Sequence, residues 1–316
     1  MHRMVHLLAP LKNNYKLMEN YKLASADNLM AARMPFWPED WLENLPDGAK
    51  LLLIPPLVEL GAPLEIELPE CGDFLIAVGE GAKVQISETT KANLEFVNKA
   101  QEVKVRVFVS KDAVVDYFAD ETEFKGNGAV VQREAVLDAG SAINWYGASL
   151  AQDGFKSETR TWLRGEKARS NYHWLVNGRD RQTVDFKLIN AFDAPNCTGQ
   201  IFIKSVAQDA ANLAITGQID ISLQAGGTDS YLKQDSLLLD PQARVRTMPC
   251  LEIKTNDVKA GHGATVTNFT DEDLFYLRSR GVDVKTAKQL MVTGFLESVL
   301  ANCPNEAFLE KAVSLI

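Results

Sequence analysis

Between about Leu51 and Val266 the chain is written in short apolar runs: FLIAV (74–78), KVQI (83–86), VKVRVFV (103–109), VVDYF (114–118), QIFI (200–203), LAITGQIDISL (213–223) and SLLL (236–239), set apart by Gly, Asp and Asn. Alternating or continuous apolar runs of this length read as β-strands. A quasi-repeat runs through them: an apolar residue, a polar turn containing Gly or Asp, then Ala and another strand. It occurs at Val78-GEGA, Val109-SKDA, Leu137-DAGSA, Leu163-RGEKA and Leu239-DPQA, and its first four starts lie 31, 28 and 26 residues apart. A recurring strand–turn unit that cannot bury its own face predicts stacking into a solenoid. The imperfect period keeps a sandwich or jelly roll as an equal alternative.

Both flanks differ from this region. Residues 1–46 mix weak helical periodicity with a turn-rich joint around Trp37, Pro38 and Trp41, which predicts a helical arm anchored on a β-core over 47–267. Residues 268–316 carry helix signals. Thr270 to Asp273 offers a loose capping box and Gly281 a left-handed stop; Asp283 is a candidate N-cap, and Pro304 a candidate start for a last helix. Ala287, Leu290, Met291, Gly294, Phe295 and Val299 form a stripe at helical spacing. These predict a helical cap closing the strand region.

Charge and composition narrow the function. Hydrophobic residues make up 46% and charged residues 24%, so the chain has enough apolar surface for a sizeable core. A net charge of −9 with no basic stripe argues against nucleic acid as a partner. The most apolar stretch, Leu51 to Leu60, is broken by Pro55 and Pro56 and is too short for a membrane span, and the N-terminal segment lacks a secretory h-region. The expected compartment is the cytoplasm. Cys71, Cys197, Cys250 and Cys303 are widely spaced, with no CxxC pair, and read as buried free thiols.

Nucleotide-binding, serine-hydrolase and zinc-protease signatures are absent from the sequence. The local pattern that invites chemistry is KAGHGATV (259–266), where His262 stands between Gly261 and Gly263 with an uncrowded imidazole able to take a transition metal. Cys250, twelve residues upstream, is a second candidate ligand. Two ligands leave a four-ligand cluster incomplete, so a second chain would supply the rest. For both residues the bland alternative is a packed strand residue, and His173 beside Trp174 also reads as a core or surface histidine. Asp229, Lys233, Asp235, Arg244 and Arg246 fall on successive strands and raise the alternative of a carbohydrate-binding or carbohydrate-cleaving groove.

The run MPCLEIKTNDVKAGHGATVTNFTDEDLFYLRSRGVDVKTAKQLMVTGF (248–295) closely resembles the C-terminal signature of SufB and SufD, the paired scaffold subunits of the SUF iron–sulfur assembly system. Residues 180–300 carry the resemblance, and PEDW (38–41) is similar to an element that often precedes the family core. The resemblance implies a right-handed parallel β-helix that pairs with a SufB-like subunit or a second copy of itself and docks the SufC ATPase on its helical region. It places His262 at the cluster-building interface, and Phe275, Tyr276, Arg278, Arg280, Leu290 and Phe295 on the ATPase-facing helices. Ala243 stands where SufB has its functional cysteine and Gly263 where SufB has a Glu, so the chain is closer to SufD. The implied cofactor status is no cluster held tightly by this chain alone, with a transient iron–sulfur cluster at a dimer interface. The implied role is non-catalytic, and a structural docking platform without a metal role is the remaining alternative.

Overall fold

The computed structural model describes residues 49–69, 71–90, 102–122, 124, 128–150, 153–268 and 270–314; the expected N-terminal arm with Trp37 and Trp41 lies outside them. Eight strands form one parallel sheet: β1 (Lys50–Ile54), β3 (Gly72–Val78), β5 (Glu102–Val109), β7 (Val130–Leu137), β9 (Phe155–Leu163), β11 (Thr183–Phe192), β13 (Asn212–Ile221) and β15 (Arg244–Ile253). The second parallel sheet holds β2 (Leu64–Leu68), β4 (Lys83–Thr90), β6 (Val114–Glu121), β8 (Ala142–Leu150), β10 (Arg169–Gly178), β12 (Thr198–Ala207), β14 (Thr228–Leu238) and β16 (Val258–Asn268). Successive strands alternate between the sheets, and each strand inside a sheet pairs in parallel with the strand two before it and the strand two after it. That topology decides for the solenoid, because Greek-key sandwiches are built from antiparallel pairs.

The quasi-repeat is the corner between the sheets. Gly81, Asp112, Gly140, Lys167, Asn196 and Gly227 all have positive φ, from 56° to 74°, and each donates its backbone N–H to a carbonyl of the next turn along the stack. The acceptors are Lys111, Ala139, Glu166, Pro195, Gly226 and Asp257, at 2.7–3.1 Å. Glycine takes this conformation without strain, and Asn or Asp tolerates it better than most residues. The next position must be small because it turns into the core, and Ala82, Ala113, Ser141, Ala168 and Cys197 fill it, all fully buried. Cys197 is thus a packing residue whose thiol is pushed up to about 11 by burial. Leu239-DPQA differs: it joins β14 to β15 at the opposite corner. The thiols are all free, but Cys71 is exposed and Cys250 and Cys303 half-buried, against the expectation of uniform burial.

Inward-facing Val, Ile, Leu and aromatic residues of both sheets form the main core. The outer face of the second sheet carries its own apolar strip, with Phe118, Tyr146, His173 and Phe202 in register on β6, β8, β10 and β12. Helices α1 (Asp271–Ser279), α2 (Val284–Glu297) and α3 (Glu306–Ser314) follow the strands. Residues of α2 and α3, including Val292, Leu296, Phe308 and Ala312, join Phe118, Tyr146, Leu175 and Val206 in a second core. Helices α2 and α3 therefore pack along the outer face of the second sheet. Asp283 caps α2 as expected, accepting from Thr286 N–H at 3.1 Å. The last helix is capped one residue beyond Pro304, by Asn305, which accepts from Phe308 N–H at 3.0 Å. The α2 stripe is rotated from the predicted one: Ala287, Val292 and Leu296 are buried, whereas Leu290 is left outside.

His173 is the titratable centre of this flank, with ring centroids 5.3 Å from Tyr146 and 5.6 Å from Phe202. Burial holds its imidazole below the ordinary histidine range. The unfolded chain takes up this proton near pH 6.5 while the folded chain resists it. Stability therefore falls as pH drops from about 6.5 towards the folded-state pKa. We expect His173→Phe to flatten this acid loss by up to about 1 kcal/mol per pH unit, read from urea melts at pH 7.5 and 5.5.

Candidate functional site

The stack ends at β15 and β16, each hydrogen-bonded to a strand of its sheet on one side alone. Their burial shows the ending: no residue of either strand is fully buried, and Met248, Ile253 and Val266 are exposed apolar side chains. An edge of this length presents a row of backbone donors and acceptors to any incoming strand. Pro249, lacking an N–H, is tolerated because β15 is such an edge.

The two candidate ligands lie on these strands but face different ways. His262 is in register with Leu232, a fully buried inward residue, so it occupies the inward face of the second sheet at the open mouth of the solenoid, where it is exposed. Cys250 is in register with Gln218, one place from inward Gly217 and Ile219, and so belongs to the outer face of the first sheet. One chain does not bring them together. Among the described residues no group of three His, Cys, Asp or Glu is arranged to hold a metal ion.

The glycines around His262 lie within β16. Neither has a positive φ. On their outer side the ring of Tyr231 lies over both, such that a Cβ at Gly261 would meet it at 3.4 Å and one at Gly263 would meet its hydroxyl at 3.2 Å. At Gly261 that is an ordinary contact, and at Gly263 it is a tighter one against the tip of the Tyr231 side chain.

On the flank, the predicted partner-facing residues are presented to solvent: Phe275 is 72% exposed, Tyr276 62% and Leu290 56%. Arg278 and Arg280 are exposed too, with the Arg280 guanidinium 5.5 Å from the Tyr276 ring centre. Phe295 is half-buried, with Lys204 Nζ 4.4 Å from its ring centre. The residues proposed for a carbohydrate groove do not share one. Asp229, Lys233 and Asp235 lie on β14 in the second sheet, with Lys233 and Asp235 paired at 3.1 Å, whereas Arg244 and Arg246 lie on β15 in the first.

Sequence reasoning missed a polar knot in the core. Arg133, fully buried, donates through Nε and Nη2 to Glu88 and through Nη1 to Glu121 at 2.5 Å. Tyr117 donates to Glu88 at 2.7 Å, Ser149 and Ser157 donate to Glu121, and Trp174 donates to Ser149 at 2.8 Å. Burial raises the Glu88 pKa against the pull of Arg133. The alternation Val131, Arg133, Ala135, Leu137 does put Arg133 in the inward phase, but its partners lie 45 and 12 residues away in sequence. Gln234 is a second missed residue, inward and fully buried on β14.

These features define a class: a two-sheet parallel β-solenoid whose exposed chemistry sits at an open strand edge and on lateral helices. Residues 69–295 match the model of the SUF system FeS cluster assembly SufBD core domain, and the chain belongs to that family. It is 27% identical over 82% of its length to an iron–sulfur cluster assembly SufBD family protein of Mycobacterium leprae, covering 31% of that protein. A relative of the same description from Staphylococcus saprophyticus is 25% identical over 95% of this chain and 65% of its own length. One from Mycobacterium tuberculosis is 29% identical over 65% of this chain and 24% of its own length. The chain thus spans less than two thirds of the length of these relatives.

Proposed function

We propose that this chain is a SufD-like scaffold subunit of iron–sulfur cluster assembly, acting in the cytoplasm without a catalytic step of its own. It pairs through β15 and β16 with a SufB-like chain or a second copy of itself, and offers His262 to a cluster built between the two chains. It receives a SufC-like ATPase on α1 and α2 through Phe275, Tyr276, Arg278, Arg280 and Leu290, with Phe295 at the margin. Ala243 and Gly263, in place of the SufB cysteine and glutamate, support the SufD-like assignment.

The observation that carries the proposal is the isolation of His262 on an edge strand, paired on one side alone. A cluster usually takes four protein ligands, and this chain brings one imidazole to the mouth. The remainder must come from whatever covers the edge. Cys250 would serve only from the outer face, towards a partner that wraps the rim. Substituting His262→Ala separates this reading from a docking platform without metal, which predicts unchanged cluster delivery. For the helices, co-purification with a SufC-like ATPase is the direct test. Phe275→Asp combined with Tyr276→Asp should weaken retention at least about tenfold, as expected when exposed aromatic anchors of an interface are lost; retention equal to the wild type would exclude this docking face.

A further inference from the structure

Gln234 is 0% exposed and neither its Oε1 nor its Nε2 has a hydrogen-bond partner. An orphaned buried amide costs about 1–3 kcal/mol and calls for an explanation. Its surroundings are shaped to keep it so. Across the interior lies Gly217, where a Cβ would come within 2.9 Å of Nε2. Beside Gly217 in register stands Pro249, which has no N–H to give. On the other side Gln234 is in register with Ala264, and two residues back on the same inward face of β16 is His262. Same-face diagonal neighbours on paired strands lie within reach of long side chains. Thr247, inward on β15 in register with Ile215, is another polar side chain near this mouth.

We infer that Gln234 is the positioning residue for His262: when the imidazole takes a metal through one nitrogen, its other ring N–H is donated to Gln234 Oε1. Metal-ligating histidines almost always give that second N–H to a carbonyl or carboxylate, which fixes ring orientation and tautomer. The orphaned carboxamide is then an acceptor held ready, and its cost in the metal-free chain is the cost of keeping the site ordered. This rests on the reading of His262 as a ligand.

The test uses the whole chain with Co(II) alone as probe, following the ligand-field absorption of the bound ion, which can be read with or without an imidazole at position 262. Gln234→Met removes both polar atoms at similar volume and should weaken Co(II) about tenfold, within the range measured for loss of such partners. Gln234→Glu keeps an acceptor and should bind at least as tightly as the wild type, and Thr247→Val should bind as the wild type does. Thermal unfolding of Gln234→Met at or above the wild-type midpoint shows the fold intact. If His262→Ala abolishes the response while the Met and Glu variants bind alike, or if Thr247→Val reproduces the loss, the Gln234 inference is overturned and the ligand role of His262 stands. If His262→Ala leaves Co(II) binding unchanged, the ligand role itself falls.

Discussion

Replacing Arg133 by methionine should destabilise the protein by about 3–5 kcal/mol, the cost of breaking a buried ion network by removing one partner. Domains of ordinary stability hold roughly 5–15 kcal/mol in all, so the variant should lose much of its cooperative unfolding transition. The reason is charge. Arg133 is the one cation in a core site shared with Glu88 and Glu121, and every member is fully buried. Without it, two carboxyl groups face each other in a low-dielectric interior. Replacing Arg133, Glu88 and Glu121 together by apolar residues of similar volume should cost less than the single change, because no uncompensated charge is left. The knot also predicts a pH response opposite in sign to that of His173. The Glu88 pKa is raised by burial, so its contribution is fully present below the unfolded carboxyl pKa and is lost as pH rises through the folded value. Denaturant melts across pH read both effects, and an Arg133→Met protein as stable as the wild type would show that the network holds nothing.

The rod was legible in the sequence and its surroundings were less so. Period-two runs located the strands, and the Gly/Asp turn followed by Ala marked one corner because a left-handed residue followed by a small buried one is a local requirement. The period drifts because the sequence between strands on the opposite side differs in length: β10 and β11 are joined across residues 179–182, whereas β4 and β5 are separated by residues 91–101. Leu239-DPQA imitated the motif from the wrong corner because both corners need a tight polar turn. The helices were legible in the sequence, but not the surface that α2 and α3 cover. Which surface an amphipathic helix covers is decided by the partner strip, here Phe118, Tyr146, His173 and Phe202, four residues dispersed over four strands. His262 stood out through its neighbours, yet the ring that lies over those glycines is Tyr231, a residue 30 positions upstream of Gly261. Gln234 and Arg133 carried only the phase of alternation, which says that a residue faces inward and is silent about what it meets there.

The second large effect concerns the open edge. Val266, 47% exposed on β16, lies in register with buried Ser236, and with exposed Ile253 on β15, in register with buried Ile221, it supplies the apolar part of the terminal rung. If a second chain covers this rung, these side chains enter the middle of the contact while Arg244, Arg246, Glu252, Lys254 and Lys259 remain at its margin. A carboxylate placed at Val266 would then be buried without a partner, at a cost of several kcal/mol. Each 1.4 kcal/mol is tenfold in affinity, so Val266→Asp should weaken association at least about 100-fold. Reversing the charge at exposed Lys259 on the same strand (Lys259→Glu) should be nearly neutral, since rim charges alter association rates more than affinity. Sedimentation of the chain alone and mixed with a SufB-like chain measures both possible partners in one experiment. Since the variant sits on an exposed position of an edge strand, its monomer should unfold at close to the wild-type temperature. A Val266→Asp protein that still associates at wild-type strength would mean that the second chain binds elsewhere, and His262 would then lose the source of its remaining ligands.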